Sequence, residues 1–237
     1  MTAKVAIVTG ANKGIGFAIV RGLCKRFEGD VYLTSRDIER GKNAVEELKK
    51  EGLNPKYHQL DITDKHSLED FRDYIKKNYD GIDVLVNNAA IAFKNSATEP
   101  VSVQAEQTLF VNYFCLVSAC DILFPLLKTG ARVVNISSSC GHLSNIPSKD
   151  LQSKFMDQTL TVPALSSLLQ SYIDSAKQAS LAEWGNSSYA VSKVGGPLSI
   201  DQGAEAPLFL ALDAPDTVKG QYVWYNKDIV SWVDNKL

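Results

Sequence analysis

Along the chain, short unbroken apolar runs alternate with stretches whose apolar residues recur every three or four positions, the marks of buried strands and amphipathic helices in turn. "VAIVTG" (5–10) reads as a strand. After it Ile15, Ile19, Val20, Leu23 and Phe27 recur at helical spacing, and Gly29-Asp30 breaks the pattern before the strand "VYLT". A polar helix follows over about 37–50, then a strand around "YHQLDI". The next helix is entered through Thr63 or Asp64 as N-cap and buries Leu68, Phe71 and Ile75. "IDVLVNNAA" gives a fourth strand and its turn, a long helix runs from about Val103 to Leu123 and stops or bends at Pro125, and "ARVVNISSS" is a fifth buried strand. This alternation predicts an α/β fold, a Rossmann-type doubly wound parallel sheet covered by helices on both faces.

From His142 to about Trp184 the pattern is polar and helical ("LQSKFMDQTL", "LSSLLQSYIDSAKQ"), too long for an ordinary loop and so a helical insertion. Beyond it come a helix around "GAEAPLFLAL", a turn at Asp213 to Pro215 and a late strand "GQYVWY". Residues 1–237 are expected to form a single domain, with no repeats and no low-complexity segment.

A hydrophobic content of 45%, a charged content of 22% and a net charge of −2 describe a soluble globular chain with no electrostatic footprint for nucleic acid. No apolar run approaches the roughly 18 residues that span a bilayer, and a first strand at Val5 leaves no room for a signal peptide. A cytoplasmic protein without membrane partners is therefore expected. Cys24, Cys115, Cys120 and Cys140 lack CxxC or Cys/His ligand spacing, which points to no metal site and to reduced, buried thiols. Burial is expected of Cys140 too, although its neighbouring serine run leaves room for reactivity.

"TGANKGIG" (9–16) follows the first strand and opens the first helix. Gly10 allows a sharp turn, Gly14 and Gly16 let backbone approach a pyrophosphate and the neighbouring strand, and the helix N-terminus supplies N–H donors and positive potential. The spacing GxxxGxG between a strand and a helix predicts a dinucleotide site. Twenty positions beyond Gly16, where an acid on the ribose 2′-hydroxyl marks an NAD site, stands Arg36. A guanidinium forks onto a 2′-phosphate and Lys13 adds a second positive charge, so NADPH is the expected cofactor. The alternative makes Asp37 the ribose ligand and Arg36 a solvated surface residue. Asp61, ending the third strand, is placed either to accept from the adenine amino group or to act as the N-terminal acid of the following helix.

Of the nine tyrosines only Tyr189 has a lysine, Lys193, four positions later, a spacing that by itself also describes an exposed helix pair. Taken in order, "TGANKGIG", "LDI", "VNNAA", "VNYF", "NISSSCG" and "YAVSK" resemble the short-chain dehydrogenase/reductase family, and within it the cytosolic NADPH-dependent carbonyl reductases. The resemblance implies NADPH/NADP+ held by Gly10, Asn12, Lys13, Gly14, Ile15, Gly16, Arg36, Asp61, Ile62 and Asn88, together with Tyr189 and Lys193. It implies Tyr189 as the acid that protonates a small-molecule carbonyl, Lys193 as the cation that acidifies it, Ser138 as holder of the substrate oxygen and Asn112 as anchor of a proton-returning water. A phenol working near neutral pH must be acidified by about three units, roughly 4 kcal/mol in favour of phenolate. Gln104 matches a substrate-side glutamine, and a helical insertion over the surface that relatives use to dimerise implies a monomer.

The family continues the Tyr/Lys helix for several turns into a sixth strand and a loop over the nicotinamide, whereas here "SKVGGPLSIDQGAEAP" passes directly to the penultimate helix. The sheet is thus expected to be one strand short. Gly195, Gly196 and Pro197 should end the catalytic helix near Val194, leaving Lys193 on a fraying last turn. The bared edge of the fifth strand is expected to recruit "GQYVWY". Two functions stand: an NADPH-dependent carbonyl reductase, and a truncated, catalytically weak nucleotide-binding homologue.

Overall fold

A computed structural model describes residues 3–193, 200–218, 223 and 227–230, with backbone alone for 200–205. These residues cluster into two compact units, one of 1–90, 115–136 and 197–229, the other of 91–114, 137–196 and 230–237.

The first unit is built on five parallel strands: β1 (Val5–Val8), β2 (Asp30–Ser35), β3 (Lys56–Gln59), β4 (Ile82–Asn87) and β5 (Leu127–Asn135), in the order β3-β2-β1-β4-β5. Val8 of β1 faces Leu33 on one side and Val86 on the other, so β1 lies in the middle and the strand order reverses at its C-terminal end. Side chains alternate across the sheet as the pleat requires. Ala6 and Val8 enter one core with Ile19, Leu23, Leu48 and Ala211, while Val5 and Ile7 enter another with Phe71, Ile75 and Leu123. Helices α1 (Gly14–Arg26), α2 (Ile38–Lys50) and α9 (Ile200–Leu212) cover the first face, and α3 (Lys65–Asn78) and α5 (Leu116–Leu123) the second, a doubly wound sheet as expected. Asp37 caps α2 and Asp64 caps α3, so of the two cap candidates for α3 the structure uses Asp64, not Thr63.

Among the described residues β5 pairs with β4 alone, which leaves the sheet one strand short. Of "GQYVWY" only Val223 is described, and it bridges Ile229 antiparallel instead of joining β5. The rest of that stretch lies outside the described residues.

The helical run Val101–Leu126 consists of α4 (Val101–Leu109), a π turn (Phe110–Cys115), α5 and a 3₁₀ turn at Pro125. Its 26 residues are long and apolar enough to cross a membrane by length and composition, against the expectation that no segment is. Only a third of its apolar 18-residue window is buried: Ala105 and Leu109 lie in the second unit's core, Ala119 and Leu123 in the first unit's.

In the second unit the insertion supplies α6 (Lys149–Phe155) and α7 (Val162–Lys177). Leu169, Tyr172 and Ile173 of α7 pack on Ala105 and Leu109 of α4, and Lys177 reaches Glu106 at 3.2 Å. Trp184, buried, closes this core edge-on to Phe155 and Tyr172. The short helix α8 (Ser188–Ser192) lies against α4 and against the 3₁₀ turn Ser139–Gly141.

Candidate active site

In the first unit the turn between β1 and α1 is held in shape from β4 and β2. Gly10 and Gly14 sit at φ +61° and +60°, backbone that favours glycine. Thr9 Oγ1 accepts from the amides of Asn88 and Ala89, both at 3.0 Å, and the Ala11 amide donates to Thr34 O at 2.8 Å. Asn88 Nδ2 donates to Thr9 O at 2.8 Å and Gly10 O at 3.1 Å, so its amide group is committed to the turn itself. A Cβ on Gly16 would collide with that same Asn88 amide and lie 2.9 Å from the Ala11 Cα. Glycine is therefore required for close approach of helix and strand, as the pattern predicted. A Cβ on Gly14 meets nothing within 4 Å, which leaves open space over the turn. Asn12 is half-buried, Ile15 packs against the core and Ile62 is buried, so Ile15 and Ile62 shape the turn and the β3 end by packing.

Arg36 and Lys13 are exposed, and among the described residues neither makes an ion pair. Asp37 is spent otherwise: its carboxylate accepts from the Arg40 amide at 2.9 Å as the cap of α2 and meets the Arg40 guanidinium at 3.4 Å. That leaves Arg36, at the end of β2, as the group available to an anion. Asp61 Oδ1 accepts from the Thr63 amide at 2.9 Å and hydroxyl at 2.7 Å, closing the turn before α3. These residues fit a phosphorylated dinucleotide: a turn that admits backbone N–H donors to an anion, and a cation where an NAD site places an acid.

In the second unit Ser187 caps α8, accepting from the Ala190 amide at 3.1 Å, and Ser188 accepts a hydrogen bond from the buried Tyr172 hydroxyl at 3.0 Å. The insertion thereby holds the helix that carries half-buried Tyr189. Ser138 is buried, extended at φ −158°, and its Oγ accepts from the Cys140 amide at 3.4 Å. The 3₁₀ turn that follows Ser138 is the surface on which α8 packs, so the fold brings the Ser138 and Tyr189 segments together. Asn112 is buried in the π turn, where its Oδ1 accepts from the Ile91 amide at 2.8 Å and its Nδ2 donates to Ile91 O and to Ser192 Oγ, both at 2.9 Å. Both amide protons are used, so the side chain works as a clamp.

Two sequence expectations need correction here. Lys193 is not on the last helical turn: α8 ends at Ser192, and Lys193 is its extended C-cap at φ −131°, ψ 150°. Five residues cannot sustain a helix against the glycines and proline that follow. Burial still pushes the Lys193 ammonium down to about 8 from 10.5. Cys140 is exposed, whereas burial pushes the Cys24, Cys115 and Cys120 thiols up to about 11. Apart from these, Gln104 donates from Nε2 to Glu99 O at 2.9 Å, just ahead of α4. Cys140, His142, Phe155, Trp184 and Val191 line a largely apolar cavity of about 310 Å³ beside α8. Thr9 and Ser192 escaped the sequence reading. Their positions, directly before Gly10 and directly before Lys193, were the available signals.

The family model for short chain dehydrogenases matches residues 4–148. The Homo sapiens protein carbonyl reductase (NADPH) 3 is 40% identical over 97% of this chain and 98% of its own length. That alignment runs over 273 positions against 237 residues here, so gaps of at least 36 positions fall on this chain's side. Carbonyl reductase (NADPH) 1 of Bos taurus is 48% identical over 81% of this chain and 70% of its own. Among solved structures, menthone neomenthol reductase from Mentha piperita superposes with a TM-score of 0.79 at 26% identity, covering 90% of this chain and 96% of that one.

Proposed function

The chain belongs to the short-chain dehydrogenase/reductase family, and on that premise we propose that it is an NADPH-dependent carbonyl reductase, an oxidoreductase acting on ketones, aldehydes or quinones. The observation that carries the reading is the surroundings of Tyr189: a half-buried phenol on a helix capped by Ser187, packed on the turn after Ser138 and followed by a partly desolvated lysine. The names of the relatives, carbonyl reductases marked NADPH, agree with it. On the cofactor side the reading rests on Arg36, which has no ion pair among the described residues while Asp37 is engaged as a helix cap.

NADPH, when bound, supplies the hydride. The first unit's Gly10, Asn12, Gly14, Ile15 and Gly16 would hold its pyrophosphate, Arg36 and Lys13 its 2′-phosphate, and Asp61, Ile62 and Asn88 its adenosine side. The Ser138 hydroxyl holds the carbonyl oxygen and the Tyr189 hydroxyl gives it a proton. Burial pushes Lys193 down to about 8, so it is mostly cationic at neutral pH, and the family resemblance assigns that charge to support Tyr189. Asn112 keeps the π turn closed around Ile91 and α8. The cavity lined by Phe155, Trp184 and Val191 favours carbonyl compounds with an apolar body. Residues 1–237 are read as one reductase domain, cytoplasmic and without nucleic-acid or membrane partners. A monomer belongs to the same proposal, supported by the packing of Leu169, Tyr172 and Ile173 of α7 on Ala105 and Leu109 of α4.

A second reading, a nucleotide-binding homologue of weak activity, is favoured by the early end of α8 and the alignment gaps. One pair of measurements separates them. NADPH is titrated by nucleotide fluorescence, then NADPH oxidation with a quinone is followed in the wild type and in Tyr189→Phe. Binding with turnover that disappears in Tyr189→Phe supports the reductase. Binding without turnover supports the second reading, and no binding removes both.

A further inference from the structure

We propose that Ser192 is a positioning residue for Tyr189: its hydroxyl takes the place of the helical hydrogen bond that α8 lacks, and fixes the tyrosine's backbone to Asn112. The inference rests on the reading of Tyr189 as the proton donor.

In a continuing α-helix the Tyr189 carbonyl would accept from the amide four residues on, that of Lys193. Here Lys193 has left the helix, and its amide donates to Ala190 O at 3.2 Å. The Tyr189 carbonyl accepts instead from Ser192 Oγ at 2.9 Å. A serine bonding back to a carbonyl three residues earlier is common and by itself means little. What distinguishes Ser192 is the tertiary bond on its other side, from Asn112 Nδ2 at 2.9 Å.

The directions of these bonds are fixed. Asn112 accepts from the Ile91 amide and donates to the Ile91 carbonyl, so exchanging its oxygen and nitrogen would set donor against donor and acceptor against acceptor. Its second amide proton can only be given to Ser192, whose single proton can then only go to the Tyr189 carbonyl. The path Ile91–Asn112–Ser192–Tyr189 lies within one compact unit and ends on the backbone of the reacting residue. The N-terminal end of α8 is held by Ser187 and by the Tyr172–Ser188 bond; this path holds the C-terminal end. A five-residue helix has too few internal bonds to hold its own register, so such ties decide where the phenol sits.

The test uses the full chain and three variants, Ser192→Ala, Ser192→Thr and Tyr189→Phe, each assayed for NADPH affinity, quinone turnover and amide hydrogen exchange. Removing the hydroxyl is expected to lower kcat about 10- to 100-fold, the range associated with misplacing a reacting group by about 1 Å. NADPH affinity and the quinone KM stay within about threefold, and Ser192→Thr, which keeps a hydroxyl, returns kcat to within about threefold of wild type. Exchange of the amides of 190–193 rises about tenfold or more in Ser192→Ala and stays near wild type in Ser192→Thr, a readout independent of turnover. Unchanged exchange and kcat in Ser192→Ala, a threonine that fails to rescue, or a parallel loss of NADPH affinity each overturns the proposal. A Tyr189→Phe variant as active as wild type overturns the reading beneath it instead, so the two failures are distinguishable.

Discussion

Gly10 and Gly14 offer a matched pair, because their backbone is nearly the same and their surroundings are opposite. Both sit near φ +60°, where an L-residue costs roughly 1–2 kcal/mol. Alanine recovers about 0.4–1 kcal/mol of that by restricting the unfolded chain. At Gly14, where a Cβ meets nothing within 4 Å, the net loss for Gly14→Ala is therefore about 1 kcal/mol. At Gly10 the new Cβ would stand 2.8 Å from the Ala89 Cα, a backbone atom. That backbone is tied to the turn by the Ala89 and Asn88 amides on Thr9 Oγ1 and by the Asn88 side chain on Gly10 O, so it cannot retreat without breaking these bonds. Forced overpacking adds about 1–3 kcal/mol, for a total of about 2–4 kcal/mol in Gly10→Ala. For a chain of this length each kcal/mol moves the melting temperature by about 2–4 °C. Thermal unfolding followed by circular dichroism should thus show a drop of about 2–4 °C for Gly14→Ala and about 4–16 °C for Gly10→Ala. Equal drops, or a larger one at Gly14, would refute the argument that the turn is clamped from β4.

Arg36→Ala should weaken NADPH about 10- to 100-fold, the loss of about 1.5–3 kcal/mol in charge-assisted bonds, and leave NADH unchanged; fluorescence titration of both nucleotides checks it. Lys193 gives up its proton near pH 8 when folded but near 10.5 when unfolded. Between those values the unfolded chain binds more protons, so stability rises with pH by up to about 3 kcal/mol, and below pH 8 the full penalty is present. Urea unfolding at pH 7.5, 9 and 10.5 should show that rise in the wild type and not in Lys193→Met. Of the four thiols, exposed Cys140 should be alkylated in the native protein while Cys24, Cys115 and Cys120, pushed up to about 11, react only after unfolding. Peptide mass mapping after a timed iodoacetamide pulse reads the outcome directly.

What the sequence determined by itself was the sheet and the glycine turn. Val5, Ala6, Ile7 and Val8 are apolar on both faces and could only be a central strand, and a turn whose glycines follow that strand and open a helix has few other uses. These signals are local, each carried within a window of a dozen residues. The tertiary structure alone decided which polar groups were free to act. Asp37 and Arg36 are neighbours in the chain, and only the fold shows that the carboxylate is engaged as the cap of α2 while, among the described residues, the guanidinium beside it makes no ion pair. Cys140 looked buried and is exposed, and Ser192 meant nothing until Asn112, eighty positions earlier, reached it. A polar side chain has several partners of similar strength within reach, and the choice among them depends on residues far apart in sequence. Apolar burial needs only the right spacing, so it can be read along the chain, whereas hydrogen-bond partnership has to be read across it.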